Sequence, residues 1–306
     1  MSVMRRTVLA VSDNRVVSGF FKSNRLARGL VDRFVAGESL EEGLAACRDL
    51  ERHGIVTTLD QLGENVATVE EATAAAASFQ SILRAMSTVG LETNISVKLT
   101  MLGLDLGRSV AEENLVSVLD VAKEVGGFVR IDMEGSLYTA ITMEIFESLF
   151  ARYPENVGIV TQTYLRRAEQ DVKRAIELGA RVRLVKGAYA EPESIAFTTR
   201  AENDQNYLHL MRLLLEGGNF PAIATHDPAL IAAAQHHAKG REISPNRFEF
   251  QMLYGVRREE QQRLVDAGYR MRVYVPFGTE WYPYFTRRIA ERPANALFVL
   301  RAMRGK

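Results

Sequence analysis

Beyond Gly54, the chain alternates between short runs of β-branched and apolar residues and longer stretches with apolar residues every three to four positions. Runs of the first kind are typical of buried strands, and stretches of the second kind are typical of amphipathic helices. This alternation continues to the C-terminus. It predicts eight strand-then-helix units, with strands at residues 55–59, 95–99, 128–132, 157–162, 182–186, 221–225, 248–253 and 272–275.

Several of the predicted helices begin at residues that satisfy the free backbone N–H groups of a first helical turn. A Ser or Thr followed three residues later by Glu is typical of a capping box, and Asp before Pro is typical of a helix start. The predicted starts are Ser39 with Glu42, Thr68 with Glu71, Ser109 with Glu112, and Asp227 with Pro228.

The fold predicted from this pattern is a (β/α)8 barrel of the α/β class. Neither G-x-G-x-x-G nor G-x-x-x-x-G-K-[ST] occurs, which disfavours an open dinucleotide-binding sheet and a P-loop. A length of 306 residues suits one barrel. We predict that residues 1–53 form an N-terminal helical arm packed on the barrel, because helical spacing starts near residue 14, and that residues 54–306 form the barrel.

Composition narrows the classes of partner. Lys+Arg and Asp+Glu are both 38, so the chain lacks the long-range positive field on which non-specific nucleic-acid binding depends. Cys47 is the only cysteine, which excludes an internal disulfide, and the apolar run at residues 8–11 is too short for a signal peptide. We therefore expect a cytoplasmic protein that does not bind nucleic acid.

Many of the predicted strands end in a polar residue. In a (β/α)8 barrel the active site lies at the carboxyl ends of the strands, so such residues are candidates for it. Any one of them alone is more typical of a loop or a cap, but their repetition favours a site. They are Asp60, Lys98, Asp132, Gln162, Arg183, Lys186, Thr225, His226, Gln251 and Tyr274. The five histidines show no zinc-binding spacing, so a zinc site is not expected.

Two of these residues leave a choice between chemistries. Burial of Lys98 or Lys186 at a strand end would lower the pKa of the lysine towards Schiff-base chemistry, as in a class I aldolase. Either lysine could instead be a fixed cation for a carboxylate or phosphate. Arg183 and Lys186 are three positions apart, so a regular strand would point them to opposite faces. At least one of them must therefore act from a loop.

The last predicted helix carries Tyr284, Arg287, Arg288 and Glu291 at spacings that place them on one face. One interpretation is an exposed ladder of ion pairs, which contributes little to stability. The other is a pocket for a small carboxylate with an apolar body, because the planar guanidinium of Arg matches a carboxylate. Tyr274 would then lie close by.

Taken together, these residues resemble the proline dehydrogenase family. The matching stretches occur in order from about residue 50 to residue 300. They are residues 96–99 (SVKL), 130–132 (RID), 161–164 (TQTY), 183–189 (RLVKGAY), 224–227 (ATHD), 248–255 (FEFQMLYG) and 274–278 (YVPFG), followed by Tyr284, Arg287 and Arg288.

The resemblance implies an FAD-dependent enzyme that oxidises L-proline to Δ1-pyrroline-5-carboxylate by hydride transfer to flavin N5. It assigns Arg287 and Arg288 to the carboxylate of proline, with Lys98 as a further cation that Asp132 holds in place. The remaining implied substrate contacts are Tyr189, Leu253, Tyr274 and Tyr284. The implied FAD contacts are Gln162, Arg183 near N5, Lys186, Gly187, Thr225, His226 and Glu291.

The resemblance also implies partners. They are a quinone electron acceptor, with peripheral membrane contact, and a separate pyrroline-5-carboxylate dehydrogenase, because the chain leaves no room for a second enzyme domain. Longer bifunctional relatives carry Trp where this chain has Ala190, which puts one flavin contact in question. Three classes stay open from the residues themselves: a flavin oxidoreductase, a Schiff-base lyase, and a non-catalytic barrel that binds small carboxylates.

Overall fold

A computed structural model of the chain describes Gly29, residues 31–189 and residues 191–290. For Arg287, Ile289 and Ala290 the description covers the helix but not the side chains. The strands are β1 Val56–Gln61, β2 Asn94–Val97, β3 Phe128–Ile131, β4 Val157–Gln162, β5 Arg181–Val185, β6 Ala222–Ala224, β7 Glu249–Leu253 and β8 Arg270–Phe277. The α-helices are α1 Leu40–Arg52, α2 Val69–Thr88, α3 Arg108–Glu124, α4 Ser136–Phe150, α5 Ala168–Leu178, α6 Arg200–Gly217, α7 Pro228–Gly240, α8 Arg258–Asp266 and α9 Trp281–Ala290, with a 3-10 turn at Pro245–Arg247.

The eight strands form a closed parallel barrel in sequence order, and β8 pairs with β1. The predicted fold class is therefore confirmed. Each predicted strand exists, and its ends lie within two residues of the observed ones. Closure leaves no free sheet edge, so every strand has a neighbour on both sides.

The outer face of the barrel is apolar and the inner face is polar. Successive side chains of a strand point to opposite faces, so Ile95 and Val97 lie on the face opposite to Ser96. Both are fully buried in the main hydrophobic core, which lies between the barrel and the helices. Ser96 instead accepts a hydrogen bond from Arg183 across the barrel. The barrel interior therefore holds polar side chains in fixed partnerships and leads directly into the candidate site.

The predicted helix starts have mixed outcomes. The capping box of Ser39 and Glu42 is confirmed, and so is the Asp227 cap with Pro228 in the first turn. Thr68 accepts the backbone N–H of Glu71, but the Glu71 carboxylate accepts the N–H of Ala67 rather than that of Thr68.

The prediction of Ser109 as the N-cap is wrong, because the N-cap is Gly107, two residues earlier, and α3 begins at Arg108. No side chain caps this helix start. Glu112 instead accepts from Arg108 at 2.9 Å, so its carboxylate is engaged in an ion pair within the helix and does not return to the helix start.

The described part of the predicted arm packs on both the barrel and the last helix. Leu44 and Cys47 of α1 belong to the main core. Phe34 packs in a second cluster with Trp281 and Tyr284. The arm residues before position 29 lie outside the described part of the chain, and the division at residues 53 and 54 stays a prediction. Within the described ranges, no helix is both long and apolar enough to span a membrane.

Candidate active site

A cavity of about 680 Å³ lies at the carboxyl ends of the strands. Every expected site residue with a described side chain lines it. These residues are Lys98, Asp132, Gln162, Arg183, Lys186, Gly187, Tyr189, Thr225, His226, Leu253, Tyr274, Tyr284 and Arg288. The side chain of Arg287, together with Glu291 and Ala190, lies outside the described residues. The tertiary fold thus brings together residues from strands, loops and the last helix.

Lys98 forms an ion pair with Asp60, at 3.6 Å between Nζ and Oδ1, and both side chains are almost fully buried. Burial favours the neutral amine, but Asp60 and Asp132 outweigh it and raise the pKa of Lys98. Burial raises the pKa of Asp60 to about 6, although Lys98 opposes this shift. The ion-pair partner of Lys98 is thus Asp60, not Asp132 as expected. Asp60 of β1 pairs with Ser96 of the neighbouring β2, and Lys98 follows two residues after Ser96, just beyond the end of β2.

Asp132 instead joins two other side chains at the mouth of the barrel. Its Oδ1 accepts from Nη1 of Arg183 at 2.7 Å, and its Oδ2 accepts from the hydroxyl of Tyr274 at 2.8 Å. The guanidinium carbon of Arg183 lies 5.3 Å from the centre of the Tyr274 ring, within range for a cation–π contact. Asp132 therefore fixes both the cation and the aromatic ring.

Arg183 is buried and anchored on three sides. Its Nε donates to Oε1 of Gln251 at 2.6 Å, and its Nη1 donates to Ser96 at 3.0 Å as well as to Asp132. Its Nη2 has no partner among the described residues, although it is buried. A buried donor without a partner is costly, so this atom is suited to an acceptor supplied by a ligand.

Gln162 has a buried acceptor atom, which complements the buried donor atom of Arg183. Its side-chain amide donates to the carbonyl of Met133 at 2.6 Å, which leaves Oε1 buried and, within the described chain, without a donor. Gly187 follows β5 with a φ of +102°, and a Cβ there would lie 2.2 Å from the ring of Tyr164. The missing side chain at Gly187 thus lets the ring of Tyr164 pack against the backbone, and a side chain at residue 187 is not tolerated.

Lys186 lies just beyond the end of β5, so the prediction that Arg183 or Lys186 acts from a loop is confirmed. Its Nζ lies 2.5 Å from Asp204 and 3.1 Å from Asp227. Asp227 also accepts from Arg200 at 2.8 Å while it caps α7. Asp227 thus has a second role besides the cap that sequence favours, as an anion that orders two cations at the rim.

His226 and Thr225 shape the loop between β6 and α7. The Nε2 of His226 accepts the backbone N–H of Leu253 at 2.9 Å, so this nitrogen carries no proton. The Thr225 hydroxyl accepts the N–H of Asp227 at 3.1 Å. These bonds tie the end of β6 to the end of β7 and hold Leu253 at the wall of the cavity.

The last helix faces the cavity. Tyr284 is buried in the second hydrophobic cluster, together with Phe34 of the arm. The guanidinium carbon of Arg288 lies 5.2 Å from the centre of the Tyr284 ring. Both residues line the cavity. For Tyr284 and Arg288, the two residues of this helix face whose side chains are described, the arrangement favours the pocket wall over an exposed ladder of ion pairs.

Sequence reasoning missed three contributors. Ser96 precedes Lys98 by two positions, and Glu134 follows Asp132 by two positions, so a period of two could have indicated both. Glu134 accepts from the N–H and hydroxyl of Thr100. Arg200 gave no such signal, because it begins α6 and reaches the rim only through the loop that follows β5.

Buried cations and aromatic side chains line one cavity at the carboxyl ends of the strands, where (β/α)8-barrel enzymes carry their active sites. A sequence model of the family described as "Proline dehydrogenase" matches residues 44–301. The chain belongs to the proline dehydrogenase family of oxidoreductases.

Individual relatives agree with this family. The chain is 40% identical over 301 residues to "Proline dehydrogenase 1" of Bacillus subtilis, covering 98% of this chain and 99% of the relative. It is 39% identical over 303 residues to "Proline dehydrogenase" of Deinococcus radiodurans, covering 98% and 97%.

Among solved structures, the crystal structure of proline utilization A from Bdellovibrio bacteriovorus, inactivated by N-propargylglycine, has a TM-score of 0.82 at 30% identity. The match covers 90% of this chain and 34% of that one, so this chain spans about a third of the larger protein.

Proposed function

We propose that the chain is an FAD-dependent dehydrogenase that oxidises L-proline to Δ1-pyrroline-5-carboxylate. The observation that carries the proposal is a single cavity in which Lys98 and Arg288 lie with the rings of Tyr274 and Tyr284. Cations match the carboxylate of proline, and tyrosine rings match its apolar ring. Family membership supports the same reaction.

Lys98 is suited to bind an anion and not to attack a carbonyl. A Schiff-base lysine needs a neutral amine near physiological pH, which requires a lowered pKa. The carboxylates of Asp60 and Asp132 raise the pKa of Lys98, so its ammonium group persists. Lys186 is held by two carboxylates. Both lysines therefore favour the role of fixed cations over that of a lyase.

The polar rim fits a flavin. The buried Oε1 of Gln162 can accept from a ligand N–H, and the buried Nη2 of Arg183 can donate to a ligand nitrogen or oxygen. We assign Gln162, Arg183, Lys186, Gly187, Thr225, His226 and Glu291 to FAD binding. When bound, FAD would accept the two electrons, and Arg183 is among the residues that would hold it.

The protein residues contribute orientation and charge. Oxidation of the ring removes a hydride from the carbon next to nitrogen, while the amine releases a proton to solvent. The electron pair left on nitrogen then forms the C=N bond. Lys98, Arg287 and Arg288 hold the carboxylate at one end of the ring. Tyr189, Leu253, Tyr274 and Tyr284 fix its plane, which limits the motion that would misalign the reacting carbon.

The proposal extends to partners. Electrons would pass to a quinone, which brings the protein into peripheral contact with a membrane, and the product would pass to a separate pyrroline-5-carboxylate dehydrogenase. The family resemblance supports this part. We propose a cytoplasmic location, because a chain with Cys47 as its single cysteine suits a reducing compartment.

The test is a visible absorption spectrum of the purified protein, recorded without oxygen before and after addition of L-proline. We expect a flavin band that L-proline bleaches and D-proline does not. A colourless protein that stays colourless after FAD is added would overturn the flavin assignment. A flavin band that L-proline leaves unchanged would overturn the substrate assignment.

The lyase alternative has its own test. Borohydride is added together with a keto acid, and the labelled lysines are identified by mass spectrometry. We expect no label on Lys98 or Lys186, because both lysines form ion pairs with carboxylates.

A further inference from the structure

Glu249 lies below the cavity, inside the barrel, and does not line the cavity. Its side chain is 3% exposed. Its Oε1 accepts from the amide nitrogen of Gln251 at 2.5 Å, and Oε1 of Gln251 accepts from Nε of Arg183 at 2.6 Å. A continuous chain of hydrogen bonds thus leads from Glu249 to the arginine at the floor of the cavity.

The chemistry of the carboxylate decides the orientation of the amide. An ionised carboxylate can only accept, so Gln251 must present its NH2 group to Glu249 and its Oε1 to Arg183. Nε of Arg183 can only donate, and this orientation of Gln251 places the acceptor Oε1 opposite it. If Glu249 were replaced by a neutral amide, both orientations of the Gln251 amide would become available. In one of them, the NH2 group of Gln251 faces the Nε–H group of Arg183, so two donors oppose each other.

Glu249 is itself fixed and ionised. It accepts from Nε of Arg272 at 2.9 Å and from Nε of Arg270 at 3.2 Å, and Arg272 also donates to the carbonyl of Thr57 at 2.6 Å. Burial opposes ionisation, but Arg272, Gln251 and Arg270 outweigh it and lower the pKa of Glu249 to about 2. Its position and charge therefore do not vary at neutral pH.

We infer that Glu249 is a positioning residue that acts through Gln251 to hold the guanidinium of Arg183 in the orientation that its role beside the flavin requires. The role of Arg183 beside the flavin rests on the proposed function. The hydrogen bonds that hold Arg183 do not depend on that function. The competing explanation is that Glu249 only neutralises Arg270 and Arg272.

Glu92 offers a matched control for this explanation. Its carboxylate also accepts from both Arg270 and Arg272, but no hydrogen bond to Gln251 is found for it. Glu92→Gln and Glu249→Gln each remove one carboxylate from the same pair of arginines. Only Glu249→Gln changes the group to which the side-chain amide of Gln251 donates.

The first measurement is the NMR signal of the Nε–H group of Arg183, assigned with Arg183→Lys. We expect Glu249→Gln to shift or broaden this signal and Glu92→Gln to leave it in place.

The second measurement is the midpoint potential of the bound flavin without proline. We expect it to fall in Glu249→Gln, because a displaced cation stabilises reduced flavin less. The third is anaerobic flavin reduction by L-proline, which should slow about tenfold to a hundredfold.

Two further variants keep the test decisive. Glu249→Asp retains an acceptor for the amide and should recover part of the potential. Gln251→Met keeps every ion pair of Glu249 and should lower the potential even if Glu249→Gln does not fold.

An unmoved Arg183 signal in Glu249→Gln, or an unchanged potential in Gln251→Met, would overturn the inference. Equal effects of Glu92→Gln and Glu249→Gln would also overturn it. If the wild-type protein binds no flavin, the proposed function fails, and the Arg183 signal alone still decides whether Glu249 positions this residue.

Discussion

Nζ of Lys98 lies 3.6 Å from Oδ1 of Asp60, and the side chains are 11% and 2% exposed. Burial lowers the pKa of Lys98, and the carboxylate of Asp60 opposes this effect and favours the ammonium group. The strength of substrate binding should therefore depend on a carboxylate that need not touch the substrate.

We predict that Asp60→Asn weakens the binding of L-proline in a pH-dependent way. Without Asp60, fewer carboxylates oppose the effect of burial, although Asp132 remains. The pKa of Lys98 therefore falls, and the ammonium group is lost at a lower pH than in wild type. The KM for L-proline should rise about tenfold or more between pH 7 and pH 9 in the variant, relative to wild type. A parallel pH profile in both proteins would contradict the role of Asp60.

Arg288→Ala is expected to weaken the binding of L-proline far more than that of FAD. A lost charge-assisted contact is typically worth about 1.5 to 3 kcal/mol, or about tenfold or more in affinity. KM and the dissociation constant of FAD would be measured together. Arg52→Ala, on the exposed end of α1, serves as the control and should change neither. An unchanged KM in Arg288→Ala would count against the carboxylate site.

Gly187→Ala should reduce both stability and flavin retention. A Cβ would lie 2.2 Å from the Tyr164 ring, and the φ of +102° disfavours any L side chain. Gly90→Ala is the matched control, because its φ is +75° but nothing lies within 4 Å of the added Cβ. Thermal unfolding and bound-flavin absorbance would be compared. Equal losses in both variants would mean that backbone strain, and not the contact with Tyr164, explains the effect.

The stability of the wild-type protein should fall in acid partly through Glu249. Its pKa is lowered from 4.5 to about 2 in the folded protein, so its ionised form favours folding above pH 4.5, and this contribution disappears as pH falls through about 2. The difference corresponds to about 3 kcal/mol in the free energy of unfolding. Denaturant titrations at several pH values should show a shallower acid dependence in Glu249→Gln. An identical slope would refute the assignment.

The local pattern of the sequence was sufficient for the fold. Apolar alternation located all eight strands, because a strand buried under helices must be apolar on its outer face whatever its neighbours are. The Ser39 and Asp227 caps were predictable because a cap involves residues only two or three positions apart. The ends of the strands also indicated the site, since parallel strands of a barrel share one carboxyl end.

What only the tertiary structure decided is which polar residue faces which. Lys98 pairs with Asp60 because β1 and β2 are adjacent in this register, and Arg183 meets Gln251 across the barrel although 68 positions separate them. Spacing along the chain carries no record of such distances. The charge of Lys98 and the orientation of Arg183 are therefore properties of barrel closure, which places residues distant in sequence within hydrogen-bonding distance in a buried interior.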